Sequence, residues 1–215
     1  MAENGLTPVS SGKYSTKMTN KGTRERILTA ANTLVRREGV ARLTLDGAAA
    51  EAGLSKGGVL YYFRSKDELI AGMIEQLLQG FERELERALT RELARQPTAG
   101  RWVRAYIHAA AKSPTLMEAE TVSDLLAAVA TNPALLEPMR EAYTVWEERA
   151  ERDELEPGLA TTLRLAADGL WLGDLLGIAP PAGSRRETVV RMLLRLAGDT
   201  EAETESGKRQ RVGSR

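Results

Sequence analysis

The sequence contains no cysteine and a single histidine, His108. The lack of cysteine excludes disulfide scaffolds, thiolate metal sites and cysteine nucleophiles. With one histidine, multi-histidine metal sites are excluded and most histidine-based catalysis is disfavoured. The chain also has no glycine-rich phosphate loop of either common type and no Glu-x-x-His pair. These absences argue against an enzyme, and they predict neither a cofactor, nor a metal site, nor catalytic residues.

Long hydrophobic runs are also lacking. No apolar stretch approaches the roughly 20 residues that a membrane-spanning helix needs. The first 22 residues contain no apolar core of a secretory signal. We therefore expect a cytoplasmic protein without membrane contact. The 215 residues, 42% of them hydrophobic, suffice for a real core, and the length favours one or two domains.

The net charge is zero, but the charges are unevenly distributed. Residues 1–66 hold 11 basic and 5 acidic side chains, a net charge of +6, whereas residues 67–215 carry −6. Such a division predicts one module that meets a polyanion and a second module with another role. The alternative is a chance distribution.

Helical periodicity runs through the chain and no segment alternates with period two, so the predicted fold is all-α. Residues 1–22 are polar and are predicted to form a flexible arm. A first helix is expected from N-cap Thr23 to a stop at Gly39, and a second over 45–52 after N-cap Thr44. A tight turn at Gly53 and N-cap Ser55 then predict a third helix over 56–63, which completes a helix-turn-helix layout. Proline breakers separate five later helices, predicted at about 99–112, 115–131, 134–153, 158–177 and 185–198.

These elements divide the chain into four predicted segments. The arm is followed by a helix-turn-helix domain at 23–66 and a larger helical domain at 67–198. The larger domain begins with a long amphipathic helix after a capping box at Ser65-Lys-Asp-Glu68. Residues 199–215 are polar and are predicted to be a disordered tail.

The third helix is informative because Lys56-Gly57-Gly58 is a poor helix sequence. Two glycines cost about 2 kcal/mol relative to alanines. A missing Cβ allows close approach to a partner, and amides near a helix N-terminus favour phosphate. Lysine and tyrosine side chains follow, and side chains of both types bind DNA phosphates in many proteins. A helix of this size also fits the major groove of DNA. In the alternative interpretation, Tyr61 and Tyr62 are core residues, as Phe63 is in either case.

Residues 23–76 resemble the N-terminal DNA-binding domain of the TetR family of bacterial regulators. The resemblance lies in Gly39, Thr44, Ala-Gly-Leu-Ser at 52–55, Gly57, Tyr-Tyr-Phe at 61–63 and Ser-Lys-Asp-Glu-Leu at 65–69. It implies a three-helix DNA-binding domain and a larger helical domain that binds a ligand and forms the homodimer. The expected function is a ligand-responsive transcriptional regulator. Its simplest form is a repressor that binds a pseudo-palindromic double-stranded operator and is released by a small-molecule effector. A transcriptional activator of the same fold and an all-α enzyme are the alternatives.

The resemblance also implies which residues contact DNA. Gly58 and Leu60 depart from the family pattern, since the family often has a base-reading side chain at the first and a tyrosine at the second. Fewer side chains of the third helix are then left to read bases directly, so we expect DNA groove shape and the N-terminal arm to contribute more to operator recognition. The predicted DNA-binding residues are Lys21, Arg24, Thr44, Ser55, Lys56, Gly57, Gly58, Tyr61, Tyr62 and Lys66.

Two further sites are expected in the C-terminal region. Segments 160–177 and 189–197 are apolar on more than one face, as helices buried on two sides are. In TetR-like proteins the last two helices form the dimer interface, and we assign that role to Leu170, Leu172, Leu176, Val189, Leu193 and Leu196; a large monomeric core is the alternative. An apolar effector pocket with a few polar groups is predicted to be lined by Trp102, Tyr106, Met117, Trp146, Trp171 and Asp174. Ordinary core packing is the alternative for each of these.

Overall fold

In a computed structural model the chain forms two compact units, Met1–Leu69 and Ile70–Arg215. The structure describes residues 12–94, 99–112 and 119–199, with the side chains of 12–21 and 119–123 left out. The regular elements within these ranges are helices, without a strand, which confirms the all-α prediction. Residues 1–11 of the predicted arm and 200–215 of the predicted tail lie outside the described residues.

The first unit contains three helices and the start of a fourth. They are α1 (Gly12–Glu38), α2 (Leu45–Ala52), α3 (Lys56–Leu60) and the beginning of α4 (Lys66–Glu92), with a single 3-10 turn at Val40–Arg42. The predicted start of the first helix at Thr23 is wrong, because α1 begins at Gly12. The apolar pattern marks only the part of α1 that is buried. Residues 12–22 contain no proline, so each can add one hydrogen bond to a helix nucleated further along.

Local signals fix the ends of the short helices, as predicted. The Thr44 hydroxyl accepts a 3.0 Å hydrogen bond from the Gly47 amide and caps α2. Gly53 ends α2 in the left-handed region at φ 62°, where glycine has no steric penalty. The Ser55 hydroxyl then accepts a 3.1 Å hydrogen bond from the Gly58 amide and caps α3. These three signals confirm the predicted helix-turn-helix.

The third helix ends at Leu60 rather than at residue 63. The amides of Tyr62 and Phe63 both donate to the Val59 carbonyl, which closes the helix in a turn. The Ser65 hydroxyl caps α4 through the Glu68 amide, as predicted, at 3.1 Å. The Glu68 carboxylate accepts from the amide of Arg64 rather than from that of Ser65, so the predicted capping box is shifted by one residue.

The second unit contains the rest of α4 and five further helices. They are α5 (Arg101–Lys112), α6 (Ala119–Thr131), α7 (Glu137–Glu151), α8 (Pro157–Leu176) and α9 (Gly183–Leu196), with a 3-10 turn at Pro133–Leu136 before α7. Each overlaps its predicted range to within a few residues. The largest difference is at the start of α7, which is predicted at residue 134 and begins at Glu137. The predicted first residues of α6, 115–118, lie outside the described ranges.

Helix α5 is central to this unit, because it packs on α7, α8 and α9 and eight of its twelve residues are buried. The guanidinium of Arg104 is buried in the same core and donates to Glu92 of α4 at 2.7 Å. It also donates to the carbonyls of Ala99 and Ala197, each at 2.8 Å. Gly100 precedes α5 at φ 76°, where a Cβ would collide with the Ala197 carbonyl. One buried cation therefore ties together the end of α4, the start of α5 and the end of α9.

Candidate functional sites

Helix α3 presents one edge to solvent while its other side anchors it. Val59 is fully buried and Phe63 is 2% exposed. The burial of Phe63 anchors the Tyr-Tyr-Phe turn at 61–63 in the core of the first unit. Tyr61 is 73% exposed, and Lys56 and Gly57 are exposed as well. Tyr62 is half-buried and packs edge-on against Tyr61, with ring centroids 5.0 Å apart. Tyr61 is therefore not a core residue.

The fold does not require glycine at Gly57 or Gly58. Neither residue has a positive φ. A Cβ at Gly57 would meet only the Ser55 hydroxyl, at 4.0 Å, and one at Gly58 would meet the same oxygen at 3.4 Å. Since alanine fits both positions and would favour the helix, the glycines cost stability without a packing gain inside the unit.

The polar residues around α3 already have partners. The Lys56 ammonium pairs with the exposed Asp46 carboxylate at 3.0 Å, and the Lys66 ammonium donates to the Ala41 carbonyl at 3.0 Å. The Gly58 amide, expected to be open to phosphate, instead donates to the Ser55 hydroxyl. A phosphate at this edge would therefore meet side chains and the remaining amides rather than Gly58.

Arg24 and Lys21 are the two residues expected to flank the DNA. The guanidinium of Arg24 lies 5.3 Å from the ring centroid of Phe63, a cation–π distance. The side chain of Lys21 lies outside the described residues.

In the second unit, aromatic side chains from α4, α5, α7 and α8 surround a small apolar cavity of about 30 Å³. The volume holds one or two water molecules at most. Its lining residues are Leu77, Leu78, Phe81, Tyr106, Ala110, Met139, Tyr143, Trp146, Asp168 and Trp171. Asp168 is the one charged side chain among them.

Asp168 interacts with Tyr106, Arg164 and Tyr143. The Tyr106 hydroxyl donates to its carboxylate at 2.6 Å, and the Arg164 guanidinium pairs with it at 3.0 Å. Burial raises the pKa of Asp168, although hydrogen bonds from Tyr106 and Tyr143 and the charge of Arg164 oppose that shift. Burial also raises the pKa of Tyr106, and that of Tyr143 to about 12, so both phenols stay neutral and can donate.

The structure brings three of the predicted ligand-binding residues to this cavity: Tyr106, Trp146 and Trp171. Trp102 packs beside Tyr106 in the core and lines a second, more open pocket of about 240 Å³ with Arg101 and Asp153. Asp174 pairs with Arg186 at 2.7 Å, and neither Trp102 nor Asp174 lines the aromatic cavity. Met117 lies outside the described residues.

Sequence reasoning missed Phe81, Tyr143 and Asp168. Helical spacing offered a signal, because Asp168 and Tyr143 each stand three residues before a predicted tryptophan and share its face.

The predicted interface residues fall into two groups. Leu170 and Leu193 are buried in the core of their own chain, so the interface assignment of these two is corrected. The reason is that α8 is apolar on both faces, and position 170 lies on the inner one. Val189 is partly buried against that core, and its interface assignment stays a prediction. Leu172, Leu176 and Leu196 are 44%, 42% and 48% exposed. Leu165 and Met192, which were not predicted, extend this exposed apolar face along α8 and α9.

Among the described residues, no helix has the length and apolar character needed to span a membrane. The same part of the chain holds no group of three or more side chains arranged to bind a metal ion.

Two family models match the chain. Residues 27–73 match the model of bacterial regulatory proteins of the tetR family, and residues 100–198 match the model of the tetracyclin repressor-like C-terminal domain. The first match covers the helix-turn-helix and the start of α4, and the second begins just before α5 and ends just after α9. Comparison with curated proteins gives no match.

Solved structures of the same fold resemble the chain over most of its length. SCO1917, a TetR-family member from Streptomyces coelicolor A3, is 26% identical with a TM-score of 0.59, over 81% of this chain and 97% of that one. The multidrug binding protein EbrR, solved with imidazole, is 27% identical with a TM-score of 0.57, over 80% and 93%. EbrR has also been solved with ethidium. SmeT in complex with triclosan is 24% identical with a TM-score of 0.60, over 81% and 90%, a likeness of fold. Matched by family models at both its DNA-binding and its C-terminal domain, this chain belongs to the TetR family of bacterial transcriptional regulators.

Proposed function

We propose that this chain is a non-enzymatic, cytoplasmic repressor that binds a pseudo-palindromic operator as a homodimer and leaves it when a small molecule occupies the cavity of the second unit. The observation that carries the proposal is the exposed edge of α3. There, Lys56, Gly57 and Tyr61 face solvent while Val59 and Phe63 hold the helix in place.

This edge has the chemistry of a DNA-reading surface. Positive charge from lysine draws the phosphate backbone, and a tyrosine hydroxyl donates to phosphate or base. Glycines without an internal packing reason suit a helix whose partner surface comes close. The net charge of +6 over residues 1–66 acts in the same direction.

The second unit supplies the proposed response to a ligand. EbrR, a relative by sequence and fold, has been solved with ethidium and with imidazole. The cavity of this chain occupies the core of the second unit, but at about 30 Å³ it must widen before it can take such a molecule. A ligand that requires a wider cavity binds one conformer better than another, which is what a ligand needs in order to shift a DNA-binding equilibrium.

The exposed apolar face of α8 and α9 supports the homodimer. Leu165, Leu172 and Leu176 stand seven and four residues apart on α8, so they share one helix face, and each is exposed by more than two fifths. Clustered exposed leucines of this kind are typical of a protein–protein surface. A twofold dimer would place two α3 helices about 34–36 Å apart, one turn of duplex, and so match a pseudo-palindrome.

The experiment is a DNA-binding titration with fragments from around the protein's own gene, repeated over a series of salt concentrations. We expect sequence-selective binding with a steep salt dependence. Because Tyr61 and Lys56 are exposed, Tyr61→Ala and Lys56→Ala should leave the fold intact. Each should weaken operator binding by about 1–3 kcal/mol, or about 5- to 150-fold.

The matched control is Arg152→Ala, which removes one exposed cation from the second unit and should leave operator affinity unchanged. Equal affinity in wild type and both α3 variants would remove the basis of the proposal. A promoter reporter with and without the intact gene then separates repression from activation.

A further inference from the structure

The cation at the start of α3 is neutralised by a carboxylate of the neighbouring helix. Lys56 is the only charged residue of α3, whose sequence is Lys-Gly-Gly-Val-Leu. Its ammonium lies 3.0 Å from the carboxylate of Asp46, which belongs to the first turn of α2. Within the part of the chain that the structure describes, this is the one ion pair of either residue. Helix α3 and Asp46 together therefore carry no net charge.

Neither helix needs this ion pair in order to form. The Thr44 hydroxyl caps α2 and the Ser55 hydroxyl caps α3. The side chains of Lys56 and Asp46 are 60% and 65% exposed, and ion pairs this exposed contribute little to stability. An acidic residue in the first turn also favours the dipole of α2, but that effect does not require a contact with α3.

The contact with Asp46 limits what Lys56 can do at the DNA. Sequence-independent binding is driven by cations that replace counterions on the phosphates, and a lysine whose charge is cancelled by a carboxylate contributes little to it. The ammonium has three donors, of which Asp46 takes one. The two that remain match the two acceptors, O6 and N7, that guanine presents in the major groove. The N-terminal residues of a recognition helix are the ones that reach base edges, and Lys56 is the first residue of α3.

Lys66, the other predicted DNA-binding lysine beside α3, differs in this respect. Its ammonium donates to the Ala41 carbonyl at 3.0 Å, and a carbonyl carries no net charge. The positive charge of Lys66 is therefore left for a phosphate, whereas that of Lys56 is not.

We propose that Asp46 is a positioning residue for DNA recognition: it holds Lys56 for a guanine in each half-site and cancels a charge that would otherwise bind any phosphate. This inference rests on the proposed function, since it says how the operator is told from other DNA. At other sequences no base acceptor compensates for bringing the Asp46 carboxylate close to the phosphates, so Asp46 lowers the affinity there.

The first test measures non-specific binding of the full-length protein to an alternating A·T duplex, which contains no guanine, over a series of salt concentrations. We expect Lys56→Ala to keep the wild-type salt slope. Asp46→Ala frees the Lys56 charge, so it should bind this duplex more tightly at low salt, with a slope steeper by about 0.9 per subunit, the value for one more phosphate contact. A slope that is shallower by about 0.9 in Lys56→Ala would assign Lys56 to a phosphate and overturn the inference.

The second test measures base preference, with binding sites selected from a random duplex library. Wild type should select guanine at one position of each half-site, and exchange of that G·C pair for A·T should weaken binding by about 5- to 150-fold. In Asp46→Ala this penalty should shrink by about fivefold or more, whereas Asp46→Glu, which keeps the carboxylate, should retain it.

Glu51→Ala is the matched control for both tests. Glu51 lies on the same helix as Asp46, but it pairs with Arg37 of α1, at 3.2 Å, rather than with α3. Its loss should change neither the salt slope nor the guanine preference. Equal changes in Asp46→Ala and Glu51→Ala overturn the role given to Asp46.

Failure here and failure of the proposed function give different results. If wild type selects a consensus site and Asp46→Ala keeps the full guanine penalty, the inference is wrong and the regulator stands. If wild type selects no consensus site, the proposed function fails and the inference fails with it.

Discussion

The indole nitrogen of Trp146 donates a 2.8 Å hydrogen bond to the Glu82 carboxylate, which joins a wall of the cavity to α4. Arg149, one turn further along α7, donates to the other Glu82 oxygen at 2.6 Å. Helix α4 is continuous from Lys66 to Glu92, and its first residues belong to the DNA-binding unit. A ligand that displaces Trp146 must therefore break this contact or move α4 with it.

We predict that Glu82→Ala uncouples ligand binding from DNA release. Effector affinity should change little because Glu82 does not line the cavity, but the ratio of operator affinities without and with the effector should fall toward one. Titration of operator DNA at zero and at saturating effector concentration measures that ratio. Glu86→Ala is the control, since Glu86 is an exposed residue one turn further along the same helix. A ratio that is unchanged in Glu82→Ala would show that the coupling takes another route.

The stability of the second unit should depend on pH through Asp168. Burial raises the pKa of this carboxyl in the folded protein above the usual value of about 4. Between the unfolded and the folded pKa the folded state binds more protons, so the contribution of Asp168 to the free energy of unfolding should increase as the pH falls through that range.

The groups that face Asp168 are Tyr106, Tyr143, Arg164 and, across Arg164, Glu147. Burial raises the pKa of both phenols, so both stay neutral in the acidic range. Urea denaturation of wild type and of Asp168→Asn over a pH series measures the effect. A pH dependence as large in Asp168→Asn as in wild type would assign it to a different group.

The buried Arg104–Glu92 pair predicts a large stability effect. Arg104 is 1% exposed, and its loss would remove one charged donor from the buried Glu92 carboxylate and from two carbonyls. Arg104→Ala should lower the free energy of unfolding by about 3–5 kcal/mol, measured by urea denaturation.

Two comparisons make this measurement decisive. The double variant Arg104→Met with Glu92→Leu should recover most of the loss, because it removes both charges. Arg140→Ala, which breaks an exposed pair with Glu137, should cost less than about 1 kcal/mol. Equal costs for Arg104→Ala and Arg140→Ala would contradict the role given to the buried pair.

Sequence reasoning succeeded where the determining interactions are local. Thr44, Gly53 and Ser55 act within three or four residues of themselves, so the helix-turn-helix could be predicted from the chain alone. The cavity depends on side chains from four helices that only the folded unit brings together, and Asp168 was therefore missed. The start of α1 was missed for a different reason, since the apolar pattern marks burial and says little of a polar extension.

Helix α8 illustrates the same limit and carries the last prediction. Its sequence is apolar on two faces, and periodicity alone does not say which face meets its own core. In the structure Leu163, Ala167 and Leu170 point inward, while Leu165, Leu172 and Leu176 are exposed. The second set, with Met192 and Leu196 of α9, is the surface we propose for the partner chain.

Leu172→Glu places a charge at the centre of that surface, where association would bury it without a partner. The variant should shift the protein from dimer to monomer in sedimentation equilibrium, and operator affinity should fall with it because both half-sites need a subunit. Val145→Glu is the matched control, since Val145 is 45% exposed on α7 and lies off this face, against 44% for Leu172. A Leu172→Glu protein that remains dimeric, with Val145→Glu monomeric, would place the interface on the α7 side of the second unit.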